Sequence, residues 1–117
     1  MTTRDTIRGY FDSLNEKKDW AEFLSDDLEF TSFGTPFKHV TGRAKFLEST
    51  KRFYSMIKTL TLKELIVDGD RACALVRYEL QPPGGPILES HVAEVFQVQN
   101  DRIKSFAIYF DSAPFPK

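Results

Sequence analysis

The chain has 117 residues, with 16 Lys and Arg against 17 Asp and Glu and a formal charge of −1. That length suits a single domain over residues 1–117, and folding should bury roughly 65% of the surface exposed by the unfolded chain without a disulfide or metal staple. The even charge argues against a nucleic-acid partner, since a basic surface provides most of that affinity, and no stretch approaches the about 18 apolar residues of a membrane span.

In chain order, Ile7, Tyr10, Phe11 and Leu14 recur at i, i+3, i+4 and i+7, which predicts an amphipathic helix over 3–18 with Lys17 and Lys18 at its C-terminus. Asp19, followed by Glu22, should cap a short helix carrying Trp20, Phe23 and Leu24. Leu28, Phe30 and Ser32 alternate with Glu29, Thr31 and Phe33, a strand pattern interrupted by Gly34 and Pro36 and followed by an extended piece around 37–40. A third helix should open at Thr41-Gly42-Arg43, with Phe46, Leu47, Thr50, Phe53, Tyr54 and Ile57 as its apolar stripe. After Lys58 the period becomes two. Strands near 59–67, 71–80, 87–99 and 102–111, joined by Asp68-Gly69-Asp70, a Pro/Gly-rich loop and Asn100-Asp101, predict an antiparallel meander. Helices followed by a long-stranded meander give an α+β domain with the helices on one face of a curved sheet.

The start Met1-Thr2-Thr3-Arg4-Asp5 lacks the apolar run of a signal peptide. The single cysteine, Cys73, lies in an apolar run and cannot form an internal disulfide, so the expectation is a soluble cytoplasmic domain with Cys73 as a small buried hydrophobe. The unusual quantity is the aromatic content: 11 Phe, 4 Tyr and 1 Trp, which either fill a core or wall a cavity.

Strand parity sorts these residues. Val76, Tyr78, Leu80, Ser90, Val92, Phe96, Val98, Phe106, Ile108 and Phe110 fall on one face, expected to look toward the helices. Glu94 falls there too, where burial without a partner or a role is rare and should raise its pKa. The opposite face, with Ala93, Val95, Ala107 and Tyr109, is apolar enough to suit a sheet-to-sheet homodimer.

Several strings resemble the nuclear transport factor 2-like superfamily, which includes ketosteroid isomerase, scytalone dehydratase, limonene epoxide hydrolase and SnoaL-like cyclases. They are the aromatic first helix, Phe23-Leu24-Ser25-Asp26-Asp27-Leu28-Glu29-Phe30, Thr41-Gly42-Arg43, and the stretch from Val95-Phe96-Gln97-Val98 through Asp101-Arg102-Ile103 to Tyr109-Phe110-Asp111. The resemblance spans nearly the whole chain and implies a cone-shaped domain, its N-terminal helices packed on a strongly curved antiparallel or mixed sheet around an apolar pocket. It places Tyr10 and Glu94 where the isomerase branch has its two oxyanion donors, the second a carboxylic acid kept protonated by an apolar site. Ser32 stands where that branch has its general base, and Ile108 where cyclases and epoxide hydrolases have a catalytic aspartate, so neither chemistry carries over intact.

The resulting expectation is a small hydrophobic, carbonyl-containing ligand in an aromatic cone. Tyr10 and Glu94 would form its polar pair and His39 a candidate base near the mouth. Phe11, Trp20, Phe30, Ser32, Phe53, Tyr78, Phe96, Phe106, Ile108 and Phe110 would line the cone. Isomerase, dehydratase or cyclase chemistry stands beside a non-catalytic binding or protein-interaction role, and beside a cone filled by its own rings. His39 and His91 lack neighbours at metal-ligand spacing, so no metal or other cofactor is expected. Between 38 and 58 lie Lys38, Arg43, Lys45, Lys51, Arg52 and Lys58 with one acid, Glu48, either a solvated helix face or a patch for an anion.

Overall fold

A computed structural model describes residues 1–34, 37–111 and 113. Pro36, expected at the strand break, and Phe115, expected to cover a sheet edge, lie outside the described residues.

The first helix, α1 (Thr3–Asn15), starts at a capping box: Thr2 Oγ1 accepts from the Asp5 N–H, and the Asp5 carboxylate accepts from the Thr2 N–H. Its stripe of Ile7, Tyr10, Phe11 and Leu14 is buried as the spacing requires. The helix ends three residues earlier than expected, because Lys17 turns left-handed at φ +60° and sends its ammonium to the Ile57 carbonyl. Trp20–Phe23 forms one 3-10 turn. Asp19 precedes it without a side-chain cap, which corrects the expected capping pair, and Leu24 already belongs to the next strand.

Strands β1 (Leu24–Ser32) and β2 (Lys38–Thr41) form an antiparallel pair, followed by α2 (Arg43–Met56). Gly42 adopts φ +95° before α2, a conformation that an L side chain resists, and its N–H donates to the Leu28 carbonyl at 2.7 Å. Arg43 fastens the helix to β1 through the Leu24 carbonyl and the Asp26 carboxylate. The expected meander is present as β3 (Ile57–Asp68), β4 (Arg71–Leu80), β5 (Leu88–Gln99) and β6 (Arg102–Phe110). Asn100 and Asp101 both have positive φ, which suits the tight turn between β5 and β6.

The strands make one six-stranded sheet in the order β2-β1-β6-β5-β4-β3, and β1 joins the meander by parallel pairing with β6. The sheet is curved, unclosed and mixed, with both helices on its concave face. Register shifts in β1, β3 and at the β5–β6 pairing lie where bulges bend strands and increase twist. Alternate residues of β4 and β5 are buried in the predicted parity. Cys73 is a correction: it lies on the convex side of β4, half-buried, opposite Val95 and Ile66. Among the described residues no helix is long and apolar enough to cross a membrane.

Candidate functional site

A cavity of about 360 Å³ lies between α2 and the concave face of the sheet. Phe46, Ser49, Thr50 and Phe53 recur at helical spacing on the α2 face that covers it, joined by Tyr54 and Met56. The sheet contributes Phe30 and Ser32 from β1, Tyr78 from β4, Ser90, Val92 and Glu94 from β5, and Phe106, Ile108 and Phe110 from β6. Lys38 and Arg52 complete the lining. Gly34 permits one close approach: a Cβ there would collide with the Phe110 ring.

Glu94 is 1% exposed, the most deeply buried charge-bearing side chain of the sheet. Its Oε2 accepts from the Tyr78 hydroxyl at 2.6 Å. Burial pushes its pKa from 4.5 up to about 8, with the Tyr78 hydroxyl pulling weakly the other way, so the carboxyl is protonated at neutral pH. With Oε2 accepting from Tyr78, the carboxylic proton is left to Oε1, which makes no hydrogen bond among the described residues and reaches the cavity surface. The Ser32 and Ser90 hydroxyls likewise face the cavity with no hydrogen-bond partner among the described residues.

Behind this wall, Tyr10 shares a 2.7 Å hydrogen bond with Tyr54. Burial pushes both phenols up, as it does Tyr78, and each feels the nearby Glu94 carboxyl in addition. The Tyr10 ring is boxed edge-on by Phe11, Trp20, Phe96 and Phe106 at centroid distances of 5.0 to 6.2 Å. Trp20 stacks on Tyr54 at 4.1 Å.

The expected constellation therefore divides. Glu94, Phe30, Ser32, Phe53, Tyr78, Phe106, Ile108 and Phe110 line the cavity. Tyr10, Phe11, Trp20 and Phe96 do not; they make the closed aromatic core beside it, because α1 lies flat on the sheet and its rings interlock. The direct partner of Glu94 is Tyr78 and not Tyr10, so the expected Tyr10–Glu94 pair is replaced by Tyr78–Glu94 with Tyr10–Tyr54 alongside. His39 also lies away from the cavity lining. It is half-exposed on β2, bonded to Thr31 through Nδ1 and to Glu29 through Nε2 at 3.0 Å. Tyr54, Ser90, Lys38 and Arg52 are among the lining residues outside the expected set. The stripe containing Tyr54 and the parity containing Ser90 did point inward, whereas Lys38 sits on a strand too short to show a pattern.

Among the described residues no group of three His, Cys, Asp or Glu is placed to hold a metal ion. The chemistry available in the cavity is that of a neutral carboxylic acid, phenols and hydroxyls on apolar walls. It can donate hydrogen bonds to an acceptor oxygen beside apolar walls, whose low dielectric strengthens such bonds.

The SnoaL-like domain profile matches residues 7–106. No curated protein matches the chain. Among solved structures, an NTF2-like protein of unknown function from Burkholderia pseudomallei superposes with a TM-score of 0.80 at 17% identity, covering 95% of this chain and 92% of that one. A candidate ketosteroid isomerase from Kribbella flavida gives 0.75 at 24% identity, with coverage of 98% and 82%. An LEH-like epoxide hydrolase from M. tuberculosis gives 0.76 at 20% identity, with coverage of 93% and 82%. At these identities the likeness is one of fold.

Proposed function

The chain belongs to the SnoaL-like domain family, and from that premise we propose that it binds a small apolar molecule bearing a carbonyl or similar acceptor oxygen in the cavity under α2. Glu94 would donate to that oxygen from Oε1 while Tyr78 holds Oε2. The observation that supports this most is a buried, protonated carboxyl at the end of an apolar cavity, its free oxygen aimed inward. Neutral at pH 7, it can polarise a carbonyl without the desolvation cost of a buried charge. Reactions served by such polarisation are isomerisation, dehydration and cyclisation next to a carbonyl, the classes found in related folds.

A second reading is binding without turnover. One observation favours it: among the described residues of the lining Glu94 is the sole carboxyl and no histidine is present, and Ser32 and Ile108 stand at the positions where the resemblance would put a catalytic base. Proton transfer between carbons needs a base distinct from the donor that stabilises the oxyanion.

A panel of aryl ketones and enones, screened by thermal shift, tests the reading. Ligands should raise the melting temperature of the wild type and do so less in Glu94→Leu, which has no donor to offer the ligand, since binding to the folded state alone stabilises it. Ketones that stabilise both proteins equally would remove Glu94 from the site. Turnover by the wild type of a compound that binds would decide against the second reading. On the convex face, Tyr109 and Phe33, each about half exposed, stack at 4.7 Å. This apolar surface supports assembly as a homodimer through the outer sheet.

A further inference from the structure

The geometry points to an amphipathic anion as the cavity's occupant: an apolar body with an acceptor oxygen toward Glu94 and a carboxylate-like group held by Lys38 and Arg52. This inference rests on the ligand-binding reading above and specifies the chemistry of that ligand.

The sheet register supplies the first argument. Lys38 pairs with Ser32, Ser32 with Ile108, and Ile108 with Glu94, so four residues form one transverse row across β2, β1, β6 and β5. All four line the cavity. With neighbouring strands about 4.8 Å apart, the row runs roughly 14 Å along the sheet, and its curvature brings the two ends closer. A cation thus stands at one end and a hydrogen-bond donor at the other, with the Ser32 hydroxyl and the apolar Ile108 side chain between them.

Charge supplies the second. The basic run from 38 to 58 separates in three dimensions. Arg43 is neutralised by Asp26, and Lys45 lines a different, shallow hollow with His39 and Glu48. Only Lys38 and Arg52 reach the main cavity. The Arg52 guanidinium makes no ion pair or hydrogen bond among the described residues; the residue's carbonyl accepts from Ser55. Lys38 has one long contact, 3.3 Å, to the Ser49 carbonyl. The only acid in the lining among the described residues, Glu94, lies at the far end of the row. Two positive charges without a counter-charge, beside low-dielectric walls such as Phe53 and Met56, attract an anion more strongly than they would in open water. They repel a cationic ligand and give a neutral one no advantage.

Calorimetric titration with ω-benzoylhexanoate and its methyl ester tests this, using the wild type, Arg52→Gln and the Lys38→Gln/Arg52→Gln double variant. The acid should bind the wild type at least tenfold more tightly than the ester, and added salt should shrink that advantage. The double variant should lose the preference while keeping ester affinity, with Arg52→Gln alone, at an exposed helix position, showing a smaller loss. Equal affinities of acid and ester for the wild type, or a preference that survives in the double variant, would overturn the anionic assignment and leave the ligand-binding reading standing. Failure of both compounds, and of shorter and longer homologues, to bind at millimolar concentration would overturn that reading and this inference together.

Discussion

The Tyr78 hydroxyl donates to Oε2 of Glu94 at 2.6 Å, joining β4 to β5 inside the concave face. Tyr78 pairs in register with Ser90, four residues along β5 from Glu94, so the two long side chains meet on a diagonal across the concave face. The contact fixes which carboxyl oxygen is occupied and which is left for a ligand.

Glu94 should make stability fall as pH rises. Its pKa is 4.5 in an ordinary setting and about 8 in the fold, so its contribution is full below about 4.5 and is lost as pH climbs through about 8. The total change is on the order of a few kcal/mol. Glu94→Gln keeps the size of the side chain and an acceptor for Tyr78, and should flatten this slope in urea unfolding followed at about pH 5, 7 and 9. An identical slope in wild type and variant would contradict the assignment.

Two tyrosine variants should separate core from site. Tyr78→Phe removes a buried hydrogen bond, costing about 1 kcal/mol, and raises the Glu94 titration further, because the hydroxyl had been pulling it down. Carboxyl carbon NMR against pH reads that shift. Tyr10→Phe should cost a similar amount of stability but leave ligand affinity unchanged, since Tyr10 bonds Tyr54 and does not line the cavity. Loss of affinity in Tyr10→Phe with retained affinity in Tyr78→Phe would reverse the two roles.

Gly34→Ala should alter the cavity without touching a polar group. The added methyl meets the Phe110 ring, which must move, and Phe110 is part of the lining. Ligand affinity should fall several-fold with a stability loss of about 1–3 kcal/mol, typical of overpacking. Unchanged affinity would show that the Phe110 ring does not shape the bound state.

Tyr109→Glu should dissociate the proposed homodimer. The ring is 48% exposed and stacks on Phe33, so a carboxylate there puts like charges face to face across a two-fold interface. Small-angle scattering should show a dimer for the wild type and a monomer for the variant. A wild-type monomer at high concentration would remove the proposal.

Much of the fold was legible because its signals are local. The period-two run after Lys58 and the Asp-Gly and Asn-Asp turns placed the meander strands within two residues of their observed limits. Parity alone put Glu94 on the inner face. What could not be read was depth. Tyr10 and Tyr54 both belong to inward-facing helical stripes, yet α1 lies directly on the sheet while α2 stands off it, so one ring is core and the other is wall. No periodicity encodes that clearance. Nor does it encode the pairing of Glu94, which depends on the register between β4 and β5 and on a diagonal reach.

The parallel seam between β1 and β6 has a consequence for how the chain is made. Those strands are far apart in sequence, and β1 with β2 has no other strand to join. During synthesis β1 and β2 must therefore wait, unpaired with the meander, until β6 has emerged. The transverse row from Lys38 to Glu94 comes into being at that last step. Contacts of such long sequence separation close slowly, and until they do the inner edge of β1 is open to other chains.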